Sequence, residues 1–284
     1  MLYGWLVLLA CWQAPASALQ VTLVLSENNG PYREFADELE RELGPAHGVH
    51  RVMVGEPYAR SNLTLAVGSK ASAMLADLSV PVLHVMVTRT AYSALSLPAT
   101  HSAIYLDQPP ARHAALIAAL LPEARRVGML FSRPDERQLW RRTLDRFDLL
   151  LQASEVEAGG AVGQALSEVL VASDVLLASP DTTIYRPDTI RNILLDSYRA
   201  GVPLIGLSAA YVRAGALCAV YVTPQQMARQ TARVIEGYAA SGKLPSPQFA
   251  REFEIAVNPQ VAHSLGITLR DEVQLRIAVG RADD

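Results

Sequence analysis

Short, predominantly apolar runs alternate with segments of helical spacing along most of this chain. Runs at 21–25, 49–54, 63–67, 81–87 and 103–106 set the pattern in the first half. Runs at 127–131, 175–178 and 202–207 repeat it in the second. A strand buried on both faces needs apolar residues at every position, not every other one. Short runs of this kind between helices therefore predict parallel sheets covered on both sides, an α/β fold. The most informative stretch is 174–226, where a run ends at Ser179-Pro180-Asp181, a helical segment follows, and the next run ends at Ser208.

The helix signals agree with this frame. Pro31 opens a helix with Phe35, Leu39 and Leu43 on one face, and Pro109-Pro110 starts an apolar helix through Leu121. Leu139, Trp140, Leu144, Phe147 and Leu151 space a helix over 135–151, followed by a strand near 154–156 and a glycine-rich turn. Pro187 and Asp188 begin a helix that Gly201 ends at its C′ position. Thr223-Pro224-Gln225-Gln226 is a capping box with proline at N1, and Asn258-Pro259 caps a helix that Gly266 ends. Residues 244–247 are an extended linker, 253–257 a further strand, and the last fifteen residues receive no assignment.

The N-terminus differs from the rest. Residues 3–12 are almost wholly apolar and Ala16-Ser17-Ala18 is a small-x-small site, the makings of a secretory signal peptide over 1–18 and export to the periplasm. Leu8-Leu9-Ala10-Cys11 also resembles a lipobox, which would make Cys11 the lipid-modified first residue. Both readings stand. The remaining cysteine, Cys218, lies in an apolar run as a small buried hydrophobe without a disulfide partner.

Half the residues are hydrophobic and 19% charged, fitting a chain with a full core. A net charge of −3 gives nucleic-acid binding no electrostatic support. The one basic cluster, Arg137, Arg141, Arg142 and Arg146, is interleaved with acids and reads as a solvated helix face. The six histidines are scattered, without metal-ligand spacing, and read as surface or satisfied core groups. No cofactor is expected.

In open α/β sheets ligands sit beyond the carboxyl ends of the strands. The polar groups there are Ser26, Ser69, Lys70, Thr88, Ser132, Asp181, Ser208 and Tyr211, the candidate ligand-binding set. Hydroxyls and free N–H groups at helix starts suit a carboxylate, and Asp181 suits an ammonium group. The same residue types also serve as helix caps and turn formers, and for any one of them that role stands beside binding. Lys70 at a helix start either meets an anion or extends into solvent. Gly206-Leu207-Ser208-Ala209-Ala210 lies where a hydrolase nucleophile elbow would, but the second glycine is absent. A serine hydrolase built on Ser208 is the distant alternative.

Asp107-Gln108-Pro109-Pro110-Ala111-Arg112, Pro122-Glu123-Ala124-Arg125-Arg126-Val127-Gly128 and the stretch 179–223, with Ser208-Ala209-Ala210-Tyr211-Val212-Arg213, carry a resemblance. They look like the ABC-transporter substrate-binding protein family related to tryptophan- and phenylalanine-binding lipoproteins. The resemblance implies a type I periplasmic-binding-protein fold, two doubly wound Rossmann-like lobes joined by three crossings and closing over a ligand. The expected division is 19–124 plus about 224–245 for the first lobe and 125–223 plus about 246–284 for the second. Where better-known members carry a Gly-Thr-Pro-Ala turn and an Asp-Pro stretch, this chain has Gly68-Ser69-Lys70-Ala71 and Thr88-Arg89-Thr90. By analogy with amino-acid receptors of this fold, Ser69 and Thr88 would hold a carboxylate and Asp181 an amine. The implied role is non-enzymatic: a monomeric periplasmic protein that passes an amino-acid-like or carboxylate ligand to an ABC permease. The alternative is a sensor for an envelope kinase.

Overall fold

A computed structural model describes residues 18–156 and 162–283. The leader readings, Cys11 included, and the glycine-rich turn lie outside the described residues.

The chain begins β1 (Gln20–Leu25), α1 (Gly30–Leu43), β2 (Gly48–Met53), β3 (Leu63–Val67), α2 (Ser69–Met74), β4 (Val82–Val87), α3 (Arg89–Ser93) and β5 (His101–Tyr105). It continues α4 (Pro110–Leu120), β6 (Arg126–Phe131), α5 (Pro134–Asp145), β7 (Leu150–Glu155), α6 (Val162–Val171) and β8 (Val175–Leu177). Then come α7 (Ile190–Arg199), β9 (Leu204–Gly206), α8 (Ala209–Ala214), β10 (Cys218–Tyr221) and α9 (Pro224–Ser241). The chain closes with β11 (Gln248–Phe249), β12 (Glu254–Val257), α10 (Pro259–Ser264) and α11 (Glu272–Gly280).

Two six-stranded sheets result, in the orders β11-β5-β4-β3-β1-β2 and β12-β10-β9-β8-β6-β7. All pairings are parallel except β10 with β12. Every residue of β3, β4 and β5 is buried, which is why their sequences show no alternation. The α/β reading therefore holds, down to the capping box at Thr223 and the Asn258 cap. Gly201, with φ 70°, follows α7 where its left-handed backbone ends the helix.

The chain passes between the sheets three times: between β5 and α4, between β10 and α9, and between β11 and β12. The first crossing differs from the expected 124/125. Ala114, Leu116, Ile117 and Leu120 of α4 pack in the core of the second sheet with Val127, Met129 and Leu217, so the switch precedes α4. The return after α9 also shifts, because β11 still pairs with β5 of the first sheet. An apolar helix has no sequence mark for which of two cores it joins.

The expected helix over 135–151 is shorter. It ends at Asp145, Asp148 takes a left-handed φ of 56°, and Leu150 starts β7 beside Arg126. The unassigned tail forms α11, capped by Asp271 on Val273 N at 2.8 Å and holding Leu275 and Val279 in the second core. Only two of its positions, four residues apart, are buried, which is too short a repeat to mark a periodic face.

Arg112, 2% exposed, binds two crossings together. Its Nη1 donates to Gln108 Oε1 at 2.6 Å and Ala250 O at 2.8 Å, its Nη2 to Arg251 O at 2.9 Å. The guanidinium also lies 4.6 Å from the Phe253 ring centroid.

Candidate functional site

A cavity of about 180 Å³ lies at the carboxyl ends of strands from both sheets. Thr88 after β4 comes from the first lobe, and Leu106, Asp107 and Gln108 come from the first crossing. The second lobe adds His113 of α4, the 179–182 turn after β8, Tyr185, and Leu207 and Tyr211 around β9 and α8. Roomier hollows of about 450 and 520 Å³ lie along α9 and beside the turn after α4. Neither is lined by the polar strand ends.

Local backbone shapes this wall. Before Thr88 the β4–β5 register shifts between Val85 and Val87, with Met86 at φ 53°. A bulge of this kind re-aims the strand end. At β9, a Cβ on Gly206 would lie 2.4 Å from Cβ of Tyr211. Glycine is required there so that Tyr211 can fold back over the strand. Across the cleft mouth, the Thr90 hydroxyl donates to a carboxylate oxygen of the buried Glu136, joining α3 to α5.

Two carboxyl groups face the cavity. Asp181 Oδ2 accepts from Ser132 N at 3.0 Å and Ser132 Oγ at 2.5 Å, and its Oδ1 accepts from Thr183 N at 2.9 Å. Burial pushes its pKa up, but the Ser132 hydroxyl and these N–H donors outweigh that and hold it below the usual range. Asp107 receives fewer bonds, chiefly Arg89 N on Oδ1 at 2.7 Å. Burial raises its pKa to about 6, against the downward pull of the N–H donors and Arg89 and with a further push from Glu136.

Buried polar atoms without a partner line the same cavity. Gln108 is 4% exposed; its Oε1 is taken by Arg112, and its Nε2 has no partner. His113 is 3% exposed, sits 5.8 Å from Trp140 centroid to centroid, and has an unpartnered Nδ1. Burial, with the Arg112 charge adding to it, lowers its pKa to about 4, so the ring is neutral. An unsatisfied donor or acceptor in the interior destabilises the fold by about 1–3 kcal/mol. With the Tyr185 hydroxyl there are three in one cavity, and they mark a place shaped for something that supplies the bonds.

Of the residues proposed from sequence, Thr88, Asp181 and Tyr211 line the cavity, and Ser132 reaches it through Asp181. Thr88 also caps α3, accepting from Ala91 N at 3.1 Å, so the capping and cleft roles coexist. Ser26, Ser69, Lys70 and Ser208 are not in the wall. Ser26 Oγ accepts from Ala71 N at 2.9 Å and ties β1 to α2. Ser69 is exposed, and Lys70 is exposed with its Nζ 3.0 Å from Glu27. The pairing of Ser69 with Thr88 around a carboxylate is thus not assembled here. Ser208 has φ −162° and ψ 167°, an ordinary extended backbone without the strain of a nucleophile elbow.

Asp107, Gln108, His113 and Tyr185 are absent from the candidate set that the sequence offers. Asp107 follows β5 as Asp181 follows β8, so the strand-end rule alone would have found it. Gln108 and His113 flank a helix start and carry no local signal. His113 is a correction to the satisfied-histidine reading, since its Nδ1 has no partner. Among the described residues no group of three or more His, Cys, Asp or Glu is placed to hold a metal ion.

Two parallel-dominated sheets, three crossings and a cavity at the strand ends define a periplasmic-binding-protein type I fold. The chain belongs to the ABC transporter substrate binding protein family, whose sequence model matches residues 106–279. Among solved structures it is similar to an ABC domain in complex with L-Trp from Streptococcus pneumonia. The TM-score is 0.66 at 16% identity, covering 90% of this chain and 97% of that one. A conserved domain protein from Vibrio cholerae aligns with TM-score 0.65 at 19% identity over 92% and 98% of the two chains. A ligand-free, open substrate binding protein with adhesive properties from Clostridium difficile gives 0.66 at 12% identity over 89% and 97%. At these identities the likeness concerns the fold alone. No curated protein matches the sequence.

Proposed function

We propose that this is a periplasmic solute-binding protein of an ABC-type uptake system, a monomer that captures a small organic ligand between its lobes and presents it to an ABC permease. The observation that carries this reading is the cavity at the strand ends, with Gln108 Nε2 and His113 Nδ1 buried and unpartnered in its wall. A ligand of about amino-acid size supplies those bonds. Because Thr88 lies in one lobe, Asp181 in the other and Asp107 on the crossing between them, the ligand touches all three parts at once. A ligand favours closure only by binding the closed arrangement better than the open one, and contacts from both lobes provide that difference. The closed surface is then what the permease recognises. Binding needs no bond making, in keeping with a family of binding proteins.

The test is thermal melting of the purified protein against amino acids, small carboxylates, sugars and amines. A ligand at a hundred times its Kd stabilises the folded state by about 2.7 kcal/mol. For a chain of this size that is a rise of roughly 5–11 °C. The reading fails if no compound shifts the transition, or if a hit acts undiminished on Tyr211→Ala combined with Asp181→Ala.

A further inference from the structure

Resting on the solute-binding reading above, we infer that the ligand is a compact organic cation, an amine, quaternary ammonium or guanidinium compound without a compensating carboxylate, held between Asp107 and Asp181. Two carboxyl groups are in the cavity wall, and no lysine or arginine side chain is. Arg89 and Arg112 both lie outside the wall, and the Arg112 guanidinium is already engaged by Gln108 Oε1, Ala250 O and Arg251 O. A zwitterion or an anion would bring its own carboxylate into this acidic enclosure with no basic side chain to receive it.

The remaining wall fits the same ligand. The neutral His113 ring offers its unpartnered Nδ1, 3% exposed, as an acceptor for a ligand N–H. Gln108 Nε2 is a free donor, suited to a hydroxyl or carbonyl elsewhere on the molecule. Tyr185 and Tyr211 add aromatic surface, against which alkylammonium groups are held by the ring quadrupole. The two acids divide the work. Asp181 is fixed by three hydrogen bonds and stays ionised, whereas Asp107 is held less fully, chiefly by Arg89 N on its Oδ1.

Asp107 also makes binding depend on pH. The groups around it are Arg89 from α3, Tyr105 from the end of β5, Glu136 from α5, and His113 and Asp181 in the shared wall. Its carboxyl titrates near 6, and a cation binds the ionised form. Affinity therefore holds above about pH 6 and falls up to tenfold per unit below it, because each binding event must expel a proton.

The experiment is titration calorimetry of the full exported chain with choline, agmatine and putrescine, then leucine and tryptophan, then succinate, for wild type and Asp107→Asn. Asparagine keeps an oxygen for Arg89 N and removes only the charge. The expected result is binding within the cation set, weakened at least tenfold by D107N, with the loss of affinity below pH 6 present in wild type and absent from the variant. If D107N does not fold, the wild-type pH profile alone decides, since a cation whose affinity is flat from pH 7 to 5 overturns the inference. Binding of leucine, tryptophan or succinate with D107N unchanged overturns the cation assignment and leaves solute binding intact. No heat with any probe, together with no thermal shift across the broader panel, defeats the solute-binding reading itself.

Discussion

Gly206→Ala puts one methyl group where the structure has no room for it. The added Cβ would lie 2.4 Å from Tyr211 Cβ and 3.0 Å from Tyr211 Cγ. Carbon atoms rest about 3.5–4.0 Å apart, so Tyr211 must move by roughly 1–1.5 Å. The side chain cannot swing clear by rotation, because the clash is at Cβ itself. The first turn of α8 must move with it, against the bonds from Tyr211 N to Ser208 O at 3.1 Å and from Ala216 N to Tyr211 O at 2.9 Å. Overpacking of this kind destabilises by about 1–3 kcal/mol. The melting temperature should fall by roughly 2–12 °C, and affinity for the ligand should fall further, since Tyr211 is part of the cavity wall. Gly237→Ala is the control: it lies within α9 with nothing near its Cβ position, and alanine there should add about 0.5–1 kcal/mol. Scanning fluorimetry and ligand titration of both variants decide the matter. If Gly206→Ala melts with the wild type and binds as well, Tyr211 does not depend on this glycine and the description of the wall is wrong.

Two further outcomes follow from buried polar groups. His84 is wholly buried, its Nε2 is 3.0 Å from His101 Nδ1, and burial, with the His101 charge adding to it, lowers its pKa to about 3. Above pH 6.5 both folded and unfolded states are neutral there, but below it only the unfolded chain takes the proton. Stability should therefore fall by about 1.4 kcal/mol per pH unit from this residue between about 6.5 and 3, with His113 adding a similar slope down to about 4. Chemical denaturation at stepped pH reads the slope, and an acid-insensitive midpoint across that window would contradict the neutral burial of both. Arg112→Met removes the donors to Ala250 O, Arg251 O and Gln108 Oε1 and should destabilise by about 3 kcal/mol, seen as a lower denaturation midpoint. An unchanged midpoint would show that Arg112 does not secure the crossings.

The strands were legible because burial on both faces leaves an apolar signature that needs no partner to interpret. β3 and β4 are examples, as are the helix starts at Pro110, Thr223 and Asn258, where the signal lies within three residues of the event. What needs a distant contact was not legible. Whether α4 packs on the first or second core is settled by Val127 and Leu217, not by its own residues. The site divided along the same line. Asp181 and Tyr211 follow strands and are legible by that rule; Asp107 obeys it too, although in the sequence it stands out only as part of the run Asp107–Arg112 that carries the family resemblance. His113 and Tyr185 are brought to the cavity by packing of segments far apart in sequence, and Met86 is left-handed in a strand whose sequence carries no turn signal at that position.

Native mass spectrometry of the protein, purified gently from the cells that make it, most directly tests whether the cavity at the strand ends holds a small molecule. The expected spectrum shows a one-to-one adduct of amino-acid size on wild type, lost from Tyr211→Ala and Asp107→Asn while both variants stay folded. An adduct retained in full by both variants, or a bare polypeptide to which no compound of any charge adds mass, would contradict the claim.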